Sequence, residues 1–136
     1  MSPGASLPTT PVLLSNGDVL IANDHEFYDP TTATWTATGA LPTGVALTKA
    51  TILDNGDVLA TGTECKGSKD YNCVATPVAF LYSFSGNSWS QTGSMNYVRF
   101  YQTMTLLPSG EVLVAGGSSG ETGAPMALSS AELYAP

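Results

Sequence analysis

Basic residues are scarce in this chain, with four Lys plus Arg against eleven Asp plus Glu in 136 residues, for a net charge of −7. A surface of that balance repels phosphate backbones and anionic headgroups, which argues against nucleic acid or a membrane as partner. One His and two Cys are too few to build a zinc site from those residue types. No apolar run is long enough to cross a bilayer, and no charged-then-apolar leader opens the sequence. Helical periodicity and helix caps are missing throughout. Apolar residues make up 43% of the chain, an ordinary share that excludes disorder. What remains is an acidic chain rich in Ser, Thr and Gly, with the alternation of an all-β protein.

The strongest pattern lies between Met104 and Gly117. A short apolar run meets the turn Pro108-Ser109-Gly110-Glu111, then Val112-Leu113-Val114-Ala115 runs out into Gly116-Gly117. Two runs split by a Gly-containing turn read as a hairpin. Copies lie upstream: Pro11 to Ala22 around Ser15-Asn16-Gly17, and Ala50 to Thr61 around Asp54-Asn55-Gly56. Asn-Gly supplies the positive φ angles that a tight hairpin turn demands. After each hairpin comes a strand ending in Tyr (Tyr28, Tyr82, Tyr134), and after two of them a strand bearing Trp (Trp35, Trp89). The Trp pair is 54 positions apart, as are Tyr28 and Tyr82. The spacing therefore predicts three repeats: 9–44, 45–97 and 98–136, the last without a fourth strand. Between Gly62 and Pro77 the second repeat carries an expected long loop, in which Cys65 and Cys73 form a local disulfide. That pair and the scarce charge suggest an extracytoplasmic or secreted protein.

A strand ending in Gly-Gly, then a Tyr, then a Trp, at a period near fifty, resembles the kelch repeat of bacterial and galactose-oxidase-like proteins. The residues that carry it are Gly116-Gly117 with Tyr134, Tyr82 with Trp89, and Tyr28 with Trp35; Ala22-Asn23 and Thr61-Gly62 depart from the paired glycines. The resemblance implies four-stranded antiparallel blades of a β-propeller, which bury their flat faces only against neighbouring blades. Three blades leave apolar faces uncovered. Residues 1–8 are similar to the tail of the first repeat's fourth strand, Ala37 to Pro42, so the expected solution is a homodimer. Two half-propellers complete a six-bladed ring, each N-terminal segment closing the other chain's last blade. The alternative is a piece of a longer propeller.

Several side chains are candidates for chemistry. The resemblance brings to mind a copper site of His and Tyr side chains with a Cys–Tyr crosslink. With one His, and both Cys in one loop, it cannot be assembled here, and no cofactor or metal is expected. His25, between Asp24 and Glu26, reads as a turn residue. Asp18, Asp57 and Glu111 each follow a turn Gly and read as turn caps bonded to backbone amides rather than as a cation ring. The Trp and Tyr residues read as inter-blade packing rather than sugar platforms. Asp24, Glu26, Asp70 and Glu121 lie in or beside loops, but their spacing singles out no hydrolytic pair. Two features break the repeat. Arg99, Phe100, Tyr101 and Gln102 place a guanidinium beside aromatic rings, suited to a carboxylate or a sugar, or else to pairing with a neighbouring blade. The Cys loop adds Lys66 and Tyr71. The expectation is a non-enzymatic binding module with a protein or glycan ligand. The alternatives are a fragment of a larger oxidase or hydrolase, and a purely structural half-propeller.

Overall fold

The computed structural model describes residues 11–65, 75–119 and 126–136. Residues 1–8, with their expected closing strand, lie outside the described residues, as do Lys66, Tyr71 and Cys73, and with Cys73 the proposed disulfide. The described chain is all β, in eleven strands: β1 (Pro11–Leu13), β2 (Val19–Ile21), β3 (Glu26–Asp29), β4 (Thr34–Ala37), β5 (Val45–Ile52), β6 (Val58–Cys65), β7 (Ala75–Ser83), β8 (Ser88–Thr92), β9 (Thr103–Leu106), β10 (Val112–Ala115) and β11 (Ala131–Tyr134). They form three antiparallel meanders: β1 to β4, β5 to β8, and a three-stranded sheet of β9 to β11.

The three sheets share one register. Leu13 pairs with Val19 and Val19 with Tyr28; Ile52 pairs with Val58 and Val58 with Tyr82; Leu106 pairs with Val112 and Val112 with Tyr134. The row continues to Trp35 and Trp89 in the two four-stranded sheets. Their rings lean on Tyr28 and Tyr82 with centroids 5.1 and 5.0 Å apart. The register follows from the turns. In each first hairpin the glycine amide donates to a leucine carbonyl (Leu14, Leu53, Leu107), and that leucine's amide donates to the carbonyl of Asp18, Asp57 or Glu111.

Only the glycine takes positive φ, at 96°, 90° and 88° for Gly17, Gly56 and Gly110, while the preceding Asn or Ser does not. The turn is thus a type I turn followed by a glycine bulge, not a two-residue turn with two left-handed positions. The acidic residue also acts differently from expectation. Asn16 Nδ2 donates to Asp18 Oδ2 at 2.7 Å, Asn55 Nδ2 to Asp57 Oδ2 at 3.0 Å and Ser109 Oγ to Glu111 Oε2 at 3.0 Å. The carboxylate therefore locks the turn side chain. The backbone amide of the acidic residue is satisfied by that same side chain, not by the carboxylate.

Where it is described, at 62–65 and 75–77, the expected loop is strand: β6 and β7 stay paired from Val58–Tyr82 out to Cys65–Ala75. Gly62 lets the neighbouring strand close in. A Cβ there would sit against the Ala46 backbone carbonyl, beside the bulge between Leu47 and Lys49.

Each sheet buries what its neighbour covers. Val12, Leu20 and Phe27 of the first sheet pack with Ile52, Val58, Tyr82 and Trp89 of the second. The opposite face of the second sheet, with Leu59, Ala79 and Leu81, packs on Leu106, Val112 and Tyr134 of the third. Covered on both faces, the first six residues of β6 are all buried, whereas β10 alternates. The first strands lie side by side, β1 against β5 and β5 against β9.

One inter-sheet relation occurs twice. Ser15 stands beside Gly56 as Asp54 stands beside Gly110, each side-chain oxygen 3.3 Å from where a Cβ would be. At the outer ends, Trp89 Nε1 donates to Thr38 Oγ1 at 3.0 Å, and Thr92 Oγ1 meets the Tyr134 hydroxyl at 2.9 Å.

Candidate functional site

The segment that departs from the repeat joins β8 to β9, and its side chains part company. Arg99 is fully buried. Its Nε donates to Glu132 Oε2 on β11 at 3.1 Å, and Nη1 donates to the carbonyls of Gly116 and Ser130, both at 2.9 Å. Nη2 donates to Ser130 Oγ at 2.7 Å. The other Glu132 oxygen accepts from the Asn96 amide at 2.6 Å and from Asn96 Nδ2 at 3.0 Å. The guanidinium therefore clamps its own segment to the exit of β10 and to β11. Its planar fork matches several acceptors at once, which a lysine cannot do. Tyr97 stands 6.0 Å from the guanidinium carbon, ring to cation.

Phe100 and Gln102 are also buried. Phe100 exchanges two backbone hydrogen bonds of 2.8 Å with Ser118, which brings the stretch after Gly117 over it. Gln102 Nε2 donates to Thr61 Oγ1 at 3.0 Å and to Thr48 Oγ1 at 3.3 Å, tying the third sheet to the second beside the first strands. Its Oε1 is buried with no hydrogen-bond partner among the described residues.

Tyr101, between these two buried residues, is 71% exposed and holds φ at 61°. A left-handed angle on a bulky non-glycine residue carries strain, here about 1–2 kcal/mol. The ring points out where the equivalent Leu47 of the second repeat is buried. Of the four residues singled out from the sequence, three face inward and one faces solvent. Glu132 and Ser130, the partners that decide the direction of Arg99, carry no distinguishing spacing in the sequence; only the pairing of β10 with β11 brings them to it.

His25 sits in the tight turn before β3 at φ 57°. Burial pushes its pKa below the usual 6.5, and the charge of Asp24 offsets part of that. Tyr82 donates its hydroxyl to Asn87 Oδ1 at 2.7 Å, and burial, assisted by the Asp18 charge, pushes its phenol up. Cys65 ends β6, its amide donating to Gly44 O at 2.9 Å. Among the described residues no three His, Cys, Asp or Glu side chains gather closely enough to hold a metal ion. Set against known proteins, the chain matches no family model and no curated protein sequence.

Proposed function

We propose that the chain is three blades of a kelch-type β-propeller, two copies of which complete a six-bladed ring, and that it is a non-catalytic binding module. The common register of the three sheets, the adjacency of their first strands and the twice-repeated inter-sheet relation support the blade reading. Sheets related by one repeated step need neighbours on both sides, as blades do.

The binding reading is carried by Tyr101, a large ring held outward at strain cost between two buried residues, at the end of an inner strand. With the Arg99 guanidinium committed to Glu132, Gly116 and Ser130, what this segment offers a ligand is aromatic surface. Such a surface suits the apolar face of a sugar ring in a glycan, or a protein side chain. Strained, exposed aromatic positions of this kind are kept where function uses them.

The test is binding of the labelled chain to a printed array of oligosaccharides, comparing wild type with Tyr101→Gly. Glycine accepts the left-handed angle, so the variant keeps the backbone and loses only the ring. Binding of at least one glycan, lost in the variant with folding intact, supports the reading. Equal binding by both removes Tyr101 from the site, and no binding by wild type defeats glycan recognition.

A further inference from the structure

Two apolar faces remain open, one at each end of the row of sheets. On the first sheet the row Leu13, Val19, Tyr28, Trp35 points away from the second sheet, with Leu13 66% and Trp35 44% exposed. On the third sheet the open row is Thr105, Leu113, Leu133, with Leu133 59% exposed. Exposed apolar rows of this extent mark a contact surface.

The repeat itself says what covers them. The open row of the first sheet has the same register as Ile52, Val58, Tyr82 and Trp89, and those four pack on the sheet before them. The open row of the third sheet corresponds to Thr51, Leu59 and Leu81, whose two leucines pack on the sheet after them. Each open face is therefore a copy of one side of a joint the molecule already makes twice. The two copies are of opposite kind. Neither row contains a charge, although Glu26, two positions from Tyr28 on β3, shares the open face of the first sheet.

Resting on the blade reading above, we propose that a second copy of this chain covers both faces head to tail. The Tyr28–Trp35 face of one copy packs on the Leu113–Leu133 face of the other, and the reverse contact closes the ring. The same step that sets Ser15 beside Gly56 and Asp54 beside Gly110 then sets Pro108 of one copy beside Gly17 of the other. The contact is heterologous, and closure after two copies is what stops it from growing into a filament. Trp35 acquires the partly buried environment that Trp89 already has.

The experiment is light scattering across a dilution series on wild type, Leu13→Glu, Leu133→Glu and an equimolar mixture of the two variants. Both leucines are exposed in the single chain, so neither charge disturbs its folding. Wild type is expected at twice the 14.0 kDa chain mass, and each variant alone at the single mass. The mixture is expected to recover the double mass, because one of its two contacts joins two unaltered faces. That recovery also demonstrates that both variants fold.

A dimer abolished by only one variant, or a mixture that stays monomeric, overturns the head-to-tail contact. A mass that climbs without limit overturns closure by two copies. Hydrogen exchange on the same samples separates this inference from the reading beneath it. A monomeric wild type whose β6 amides are still strongly protected overturns the second copy and leaves the blade reading standing. Amides of β6 that exchange as fast as those of β1 defeat the blade reading itself.

Discussion

Replacing Arg99 by Met tests whether this arginine holds the fold or faces a ligand. The substitution keeps most of the side chain's bulk and removes four donated hydrogen bonds, to Glu132, Gly116, Ser130 O and Ser130 Oγ. Ser130 O keeps the Gly116 amide as a donor, so the main losses fall on the Glu132 carboxylate and the Gly116 carbonyl. Breaking a buried ion pair from one side costs about 3–5 kcal/mol, because the remaining charge stays in a poor solvent. Glu132 keeps 14% of its side chain exposed and retains both bonds from Asn96, which places the loss near the lower end, about 3 kcal/mol. Domains of this kind have about 5–15 kcal/mol in total, so the variant gives up a large share. In urea, with a slope of about 2 kcal/mol per molar, the midpoint falls by about 1.5 M at fixed protein concentration. Adding Glu132→Gln to the variant neutralises the stranded carboxylate and recovers part of the loss, so the two substitutions are less than additive. A midpoint shift below about 0.3 M would refute the clamp and return Arg99 to the candidates for ligand contact.

Four shorter tests follow from the same geometry. Gly62→Ala drives a methyl into the Ala46 backbone and unfolds or severely weakens the protein, whereas Gly17→Ala meets open space and costs only the left-handed strain of about 1–2 kcal/mol; thermal melts compare them. Gln102→Met removes a buried oxygen that has no partner among the described residues and leaves Thr48 and Thr61 donating to Thr61 O and Met104 Sδ, so its stability in urea unfolding stays within about 1 kcal/mol of wild type. His25 is held below its usual 6.5 by burial, so the unfolded chain binds its proton first; the stability it contributes is full above 6.5 and is lost as pH falls below that. His25→Asn, which tolerates the left-handed angle, is expected to flatten the dependence of the urea midpoint on pH between about 5 and 7. Tyr101→Gly leaves the melting temperature unchanged within a few degrees, since relief of strain offsets the extra freedom of glycine in the unfolded chain; a fall above about 2 kcal/mol would mean that the ring supports the fold.

What the sequence determined by itself is what depends on near neighbours. A turn glycine preceded by Asn or Ser sets a hairpin, while its glycine bulge and the bond from the turn side chain to the acid came only from the structure. Alternation on either side sets its register, and the Tyr and Trp at matching distances sit on one row because strand parity is local. Three sheets, their order and the missing fourth strand of the last were therefore legible. The tertiary structure decided what depends on distant partners or on a single dihedral. The ends of the 62–77 stretch, 62–65 and 75–77, read as loop by composition but extend the β6–β7 ladder, because each strand supplies the other's hydrogen bonds. Arg99 is as suited to a ligand as to a carboxylate until β11 brings Glu132 beside it. The Tyr101 ring, at a left-handed φ, points out where its repeat partner Leu47 is buried. Which face of each sheet is covered follows from stacking, and sequence parity defines two faces without saying which of them meets a neighbour.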